Sequence, residues 1–294
     1  MRYGAIDIGS NAVRLLIADI IQKGKETSFK KNTLIRVPLR LGDDAFLDKA
    51  ISQKKADDLV KTMTAFRQLM EVYKVEDYMA CATSAMREAT NGSEIVRRVK
   101  EEAGVNLEIV EGQKEANIIY STHIAENLEL KKNYLYIDVG GGSTELSVFT
   151  EGKVQVSRSF PIGTVRMLDN ADAPETWDQM KEWIKEHTRK YKSLTGIGTG
   201  GNINKLFRLS EEKDGKPLSI NKLNDIYLHL RSHSLKERIS VLGLNQDRAD
   251  VIIPACEIYL TVMKWAAVRQ IFVPRVGMVD GIIEVLIEKN LGEA

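Results

Sequence analysis

The sequence predicts an α/β protein built as two similar lobes with a cleft between them, and three observations carry this reading. Short apolar runs alternate with longer stretches of helical periodicity along all 294 residues. The segment YGAIDIGSNAVRLLIADIIQKGK near the start is matched in pattern by YLYIDVGGGSTELSVFTEGK near the middle, with Ile-Asp-x-Gly at the same place in each. A glycine-bearing turn between two apolar strands follows the acid in both copies. A repeat of this kind reads as an internal duplication. It divides the chain into lobes 1–122 and 123–294, with packing of the final helix back on the first lobe left open.

Each element follows from local pattern. RYGAIDI is a strand, GSNA a turn and VRLLIADI a second, alternating strand. ETSFKKNTLI makes a third. Residues 52–73 form a helix with Leu59, Met63, Phe66 and Met70 on one face. VEDYMACATS is a strand, SEIVRRVKEEAG a helix that stops at Gly104, NLEIVEG a strand and KEANIIYSTHIAENL a helix. The second copy opens with the hairpin strands of residues 133–160. Helix 175–193, strand LTGIGTGG, helix NINKLFRLS and a helical stretch 223–241 follow. Helix 248–268, strand QIFVP and helix 279–290 close the chain.

Composition narrows the functional classes. Lys and Arg number 42 against 41 Asp and Glu, a net charge of +1 that gives no support to a nucleic-acid or membrane-surface binder. The two cysteines, Cys81 and Cys256, sit in apolar runs and are too few for a disulfide framework or a four-thiolate metal site. Asp7 interrupts the N-terminus too early for a signal peptide, and no apolar segment approaches the ~20 residues that span a bilayer. The expected location is cytoplasmic.

The chemistry gathers at the glycine turns. In Asp7-Ile8-Gly9-Ser10-Asn11, the missing side chain of Gly9 lets backbone N–H groups approach a phosphate, and Asp7 is placed to hold a cation. An ordinary hairpin turn uses the same residue types. In Asp138-Val139-Gly140-Gly141-Gly142-Ser143-Thr144-Glu145, three consecutive glycines carry an entropy cost that a plain hairpin does not need. Asp138 and Glu145 bracket that turn and suit a Mg²⁺ near phosphoryl oxygens. A third glycine loop, 195–202, feeds a helix and suits an anion, although no acid follows at the dinucleotide-fingerprint spacing. Glu115 opens a helix, where acids commonly stabilise the helix end; there it could also activate a water. Arg14 lies between apolar residues on the second strand and needs a partner; Arg87, at a helix start, could reach an anion. His229 and His233 have metal-ligand spacing, but HLRSH lacks a zincin glutamate and is flanked by Arg231 and Lys236.

Taken together, AIDIGSNAVRLLIADI, ATSAMREATN, IVEGQKEANIIY, YIDVGGGSTELSVF, FPIGTVRM and the GTGGN loop resemble the exopolyphosphatase/guanosine pentaphosphate phosphohydrolase family over essentially the whole chain. That family belongs to the actin-like, sugar-kinase and Hsp70 ATPase superfamily, so the resemblance implies two duplicated ribonuclease-H-like lobes with an interdomain cleft. It implies removal of the terminal phosphate from polyphosphate, or of the 5′ γ-phosphate from guanosine pentaphosphate, with Mg²⁺ as cofactor. Glu115 matches the catalytic glutamate. Asp7, Asp138 and Glu145 become the metal acids, and Gly9, Ser10, Asn11, Arg14, Arg87, Gly140, Gly141, Gly142, Ser143 and Thr144 the phosphate-binding set. Expected partners are polyphosphate or a guanosine penta- or tetraphosphate, without nucleic acid or membrane, and with a homodimer left open. The chain departs from the family pattern at Ala12, in place of a hydroxyl, at Val279-Asp280-Gly281, in place of Arg-Glu-Gly, and at Cys256, in place of a smaller residue. Two rivals share these features: an ATP-dependent kinase or ATPase of the same superfamily, and a non-catalytic alarmone sensor.

Overall fold

The computed structural model describes residues 1–24, 26–120 and 132–292. The chain divides into two compact units, Met1–Thr122 with Gly277–Ala294, and His123–Val276. The first unit therefore takes in the C-terminal segment that a division into 1–122 and 123–294 assigns to the second lobe.

In the first unit, β1 (Arg2–Ile8), β2 (Val13–Lys23) and β3 (Glu26–Val37) form an antiparallel meander. Strands β4 (Asp77–Ala82) and β5 (Leu107–Ile109) extend it in parallel, giving the order β3-β2-β1-β4-β5. The helices are α1 (Leu41–Leu47), α2 (Gln53–Val72), α3 (Ser84–Glu88), α4 (Gly92–Arg98) and α5 (Gly112–Tyr120). A π turn over Val99–Ala103 continues α4 to Gly104, whose left-handed φ of 67° ends the helix where the sequence expects. Of the helix expected over 114–128, the part beyond residue 120 lies outside the described residues.

The second unit repeats the plan. Strands β6 (Tyr134–Val139), β7 (Thr144–Thr150) and β8 (Lys153–Phe160) form the meander. Strands β9 (Thr195–Thr199), β10 (Leu218–Ser219) and β11 (Gln270–Phe272) complete the order β10-β11-β9-β6-β7-β8. Helices α6 (Thr164–Leu168), α7 (Pro174–Thr188), α8 (Gly201–Leu209), α9 (Ile220–Arg231), α10 (Leu235–Ser240), α11 (Gln246–Ala249) and α12 (Ile252–Trp265) follow the meander. The helical stretch 223–241 is two helices, because Ser234 and Glu237 form a reciprocal capping box that starts α10 anew. The duplication reaches fine detail. The β2–β3 ladder skips Asn32 after Ile17 pairs with Thr33, and the β7–β8 ladder skips Gln155 at the equivalent place after Val148 pairs with Val156.

The cores explain the periodicities. In the first unit, Leu59, Met63, Phe66 and Met70 of α2 are buried, and Gly4 of β1 leaves room for Met70, whose sulfur would lie 2.9 Å from an added Cβ. In the second, Phe160 and Trp183 meet edge to face among buried Leu135, Ile137, Leu146 and Val148. The expected buried thiols are both found; burial foremost pushes Cys81 up to about 12 and Cys256 still higher, so neither is a nucleophile at neutral pH. Among the described residues, no helix is long and apolar enough to cross a membrane.

The last helix, α13 (Met278–Leu291), packs on β1, β2 and α5 of the first unit. Its closest approach is at Gly281, where a Cβ would stand 1.9 Å from the Ile118 carbonyl oxygen. Val279 and Asp280 beside it are also buried, and Lys31 of β3 reaches Asp280 Oδ1 at 2.6 Å. Gly281→Ala is expected to destabilise the chain by about 1–3 kcal/mol, the range for forcing a methyl into a packed contact. Gly277→Ala, with open space around the new methyl, is its control and should cost less, limited to the N-cap preference for glycine over alanine. Denaturant melts of both variants check this.

Candidate active site

In each unit the site residues cluster at the carboxyl ends of parallel strands, where open α/β sheets place their ligand loops. In the first unit β1 runs into residues 9–12, β4 into Thr83 and Ser84, and β5 into the loop before α5. Asp7 and Cys81 are register partners across β1 and β4, and the Cys81 thiol feels the charges of Asp7, Glu108 and Glu115.

The second turn, residues 140–143, shows how such a loop is aimed. Its first N–H, on Gly140, closes the turn on the Ser143 carbonyl at 2.9 Å. The start of α6 then captures its carbonyls: Thr164 N donates to Gly140 O at 3.0 Å, and Val165 N donates to Gly141 O at 2.8 Å. The Arg166 side chain donates from Nε to Gly142 O at 2.9 Å. A trans peptide unit holds its C=O and the following N–H in opposite directions. With three successive carbonyls turned to α6 and Arg166, the N–H groups of Gly141, Gly142 and Ser143 all point the other way. Successive N–H groups presented on one side make an anion-binding concavity. Thr144 belongs to the frame, because its buried hydroxyl donates to Ile162 O at 2.6 Å.

The first turn, residues 9–12, repeats this arrangement. Gly9 N donates to Ala12 O at 3.2 Å, Gly42 N to Ser10 O at 2.8 Å and Arg40 N to Asn11 O at 3.0 Å. By the same planarity, the N–H groups of Asn11 and Ala12 point away from residues 40–42. Ala12 contributes a backbone N–H to this turn, and its carbonyl accepts from Gly9 N. The Ser10 hydroxyl is tied at 2.8 Å to Ser84, at the head of α3.

The two units differ in charge. Asp138 and Glu145 are direct cross-strand partners on β6 and β7, and both are buried. Ser159 Oγ donates to Glu145 Oε1 at 2.8 Å. Asp138 Oδ1 would lie 2.8 Å from a Cβ at Gly200, whose φ of 99° also demands glycine. Gly200 is the N-cap of α8, so the positive end of α8 already faces a carboxylate. Carboxylates directly opposite repel. A hard divalent cation with oxygen ligands suits such a pair, and Mg²⁺ commonly takes one or two carboxylates and fills its other positions with water and substrate phosphates. Among the described residues no group of three or more His, Cys, Asp or Glu is arranged to hold a metal, so the fit is to a site of that sparse kind. In the first unit the equivalent positions are Asp7 and Arg14, joined at 2.6 Å between Oδ2 and Nη1. Arg14 thus finds its partner in Asp7, and of the three acids expected to bind metal, Asp7 is already ion-paired.

Glu115 stands in the first turn of α5, mostly buried, with Arg87 Nη1 at 4.0 Å from Oε2. Arg87 itself donates to the Val110 carbonyl at 2.7 Å, a bond that anchors α3 to the loop leading to α5. Behind the second turn, Tyr259 of α12 donates to Thr199 O at 2.6 Å, and Tyr136 shares a hydrogen bond with the Thr199 hydroxyl. Burial, then the charge of Asp138, push both phenols well above their ordinary value. They serve as neutral struts. His229 and His233 meet edge to face with ring centroids 4.7 Å apart, with His233 Nδ1 2.8 Å from the His229 carbonyl oxygen.

The residues that sequence reasoning missed are the ones that aim the turns: Arg40, Gly42, Ser84, Gly163 and Arg166. FPIGTVRM carried a signal for two of them, since a buried arginine and a glycine beside a helix start are both costly.

Comparison with known proteins agrees with this architecture. The model of the Ppx/GppA phosphatase family matches residues 20–289. The chain belongs to the Ppx/GppA phosphatase family. Exopolyphosphatase 1 of Mycobacterium leprae is 25% identical over 273 residues, covering 86% of this chain and 80% of that protein. The bifunctional 3-dehydroquinate synthase/phosphatase of Fusobacterium nucleatum is 26% identical over 275 residues; the match covers 85% of this chain but only 41% of that longer protein. Among solved structures, the Aquifex aeolicus Ppx/GppA family member superposes with a TM-score of 0.76 at 25% identity, covering 99% of both chains. The fold is therefore the two-lobed α/β fold of this family.

Gly163 gives the prediction that tests how the second turn is held. A Cβ there would stand 2.4 Å from Gly141 O and 2.5 Å from the Gly142 carbonyl carbon. Gly163→Ala should push the turn out of shape and weaken phosphate-chain binding by about tenfold or more, each tenfold being ~1.4 kcal/mol. Isothermal calorimetry with tripolyphosphate, alongside a thermal melt, separates this from simple unfolding.

Proposed function

We propose that this Ppx/GppA family chain is a phosphohydrolase that releases the terminal phosphate of inorganic polyphosphate, of guanosine pentaphosphate, or of both. The observation that carries the reading is the second turn, in which three consecutive N–H groups face one way beside a buried carboxylate pair. Such a turn suits the oxygens of a phosphoryl group together with its metal ion. Family membership and the exopolyphosphatase name of a relative support the substrate class.

In this reading the turn at 140–143 holds the terminal phosphoryl group through backbone N–H groups, and the turn at 9–12 holds phosphate oxygens in the same way. Asp138 and Glu145 are the residues that would hold Mg²⁺. When bound, the ion supplies positive charge against the charge that develops on phosphoryl oxygens. Glu115 accepts a proton from a water as that water attacks the terminal phosphorus. The P–O bond to the next phosphate breaks, and the shortened chain leaves with the bond's electron pair. Arg87 keeps the Glu115 carboxylate oriented, and Arg14 keeps Asp7 neutralised beside the first turn. Phosphoryl transfer asks mostly for such positioning and electrostatics.

The direct test is phosphate release from polyphosphate, guanosine pentaphosphate and ATP, measured in parallel. The reading expects release from at least one of the first two and little from ATP; release from ATP alone would return the chain to the kinase and ATPase class. EDTA should abolish the activity and Mg²⁺ restore it, whereas full turnover in metal-free buffer would contradict the role of the acidic pair. Glu115→Gln nearly preserves size but cannot accept the proton, so kcat should fall by about 10²–10⁴-fold, the usual contribution of a positioned base. Affinity for polyphosphate should hold or improve, since a negative charge is removed from beside a polyanion. Wild-type kcat in this variant would leave Glu115 as a helix-end acid only.

A further inference from the structure

Of the residues beside the glycine turns, Arg40 is held in a strained backbone conformation. Arg40 has φ 51° and ψ 48°, in the left-handed region, and it is the N-cap of α1. N-cap residues ordinarily adopt extended φ and ψ. Five of the other left-handed non-glycine residues, Lys49, Lys74, Asn170, Glu211 and Ala267, each follow the C-cap of a helix, where that conformation is common, and Glu151 sits in the turn between β7 and β8; Arg275 shares the conformation before α13 but bonds no glycine turn. Strained backbone persists only where the surroundings over-determine it.

The surroundings of Arg40 do so from three directions. Its N–H donates to Asn11 O at 3.0 Å. Lys55, from α2, donates from Nζ to its carbonyl at 2.5 Å and is pinned in turn by Asp44 Oδ1 at 2.7 Å. The guanidinium is held by Asp43, with Nε 3.0 Å from Oδ2 and 3.2 Å from Oδ1. The next donor along the chain, Gly42 N, takes Ser10 O at 2.8 Å. Residues 40 and 42 therefore hold the two carbonyls whose direction sets where the Asn11 and Ala12 N–H groups point. In the second unit the carbonyl equivalent to that of Asn11, on Gly142, is held by a side chain, Arg166 Nε at 2.9 Å. The first unit reaches the same end with a backbone N–H, which the left-handed residue 40 delivers together with that of Gly42.

We infer that Arg40, locked left-handed by Lys55 and Asp43, is a positioning residue: its backbone conformation aims the N–H groups of Asn11 and Ala12 at the phosphate chain. The inference rests on the phosphohydrolase reading for its ligand, and it assigns the guanidinium no contact with substrate. The residue's effect is on binding, so loss of the conformation should raise KM and leave kcat largely unchanged.

Two substitutions that both delete the guanidinium separate conformation from charge. Glycine enters the left-handed region freely, whereas a β-branched valine is a genuine outlier there. Tripolyphosphate affinity of the full chain by calorimetry, KM and kcat for phosphate release, and thermal melts are measured for each. Arg40→Val should weaken tripolyphosphate binding by about tenfold or more and raise KM to match, while Arg40→Gly should stay within about threefold of wild type. Equal losses in both variants would make the guanidinium the binding group and overturn the inference; two wild-type affinities would overturn it as well. If Arg40→Val does not fold, Lys55→Met reads the same lock: it should weaken binding, and adding Arg40→Gly should restore it. Wild-type binding by Lys55→Met alone would then count against the lock. A wild-type chain that binds tripolyphosphate without releasing phosphate from any substrate would defeat the hydrolytic reading and leave the affinity comparison decisive. A wild-type chain that does not bind it would defeat both.

Discussion

The peptide bond's fixed trans geometry is the constraint on which this site depends. A turn can offer several N–H groups on one side only if the carbonyls between them are held on the other. A buried carbonyl needs a donor, and the donors here are the first N–H groups of a short helix, which have no partner within their own helix. In the second unit α6 supplies them to Gly140 and Gly141, and in the first unit residues 40–42 supply them to Ser10 and Asn11. Two unmet needs are satisfied at once, and the N–H groups of each turn are oriented away from the helix that holds its carbonyls.

Duplication supplied two copies of this device, and charge then distinguished them. Equivalent cross-strand positions carry Asp7 with Arg14 in one unit and Asp138 with Glu145 in the other. The first pair is neutral by itself. The second concentrates negative charge beside a turn that presents N–H groups to an anion, an arrangement that fits a cation and a phosphate together. Backbone donors suit the polyphosphate class for the same reason, since they recognise phosphate oxygens without reading what is attached to them.

Much of this was legible in the sequence, and what was missed has a physical cause. Ile-Asp-x-Gly at two equivalent places gave the duplication, because a strand, an acid and a tight turn leave a dense local signature. The apolar spacing of Leu59, Met63, Phe66 and Met70 gave α2. The short helices α1 and α6 were not foreseen, since five to seven residues are too few to show a period. Their purpose lies in hydrogen bonds to distant turns, which no local pattern records. For the same reason the partner that Arg14 needs is not named by the sequence: cross-strand register, not spacing along the chain, places it against Asp7. The packing of α13 on the first sheet, left open by the sequence, has its closest approach at Gly281 and a further tie from Lys31 to Asp280, and nothing in an apolar helix announces which sheet it will join.

The central claim is that backbone N–H groups of the glycine turns, aimed by captured carbonyls, bind the phosphate chain. The most direct measurement is amide NMR of the full chain with ¹⁵N-labelled glycine and serine, titrated with tripolyphosphate in the presence of Mg²⁺. The account predicts large downfield shifts and slowed exchange for the amides of Gly141, Gly142 and Ser143, with Gly140, already bonded to Ser143 O, moving little. Saturable tripolyphosphate binding that leaves those three amides unshifted would contradict it.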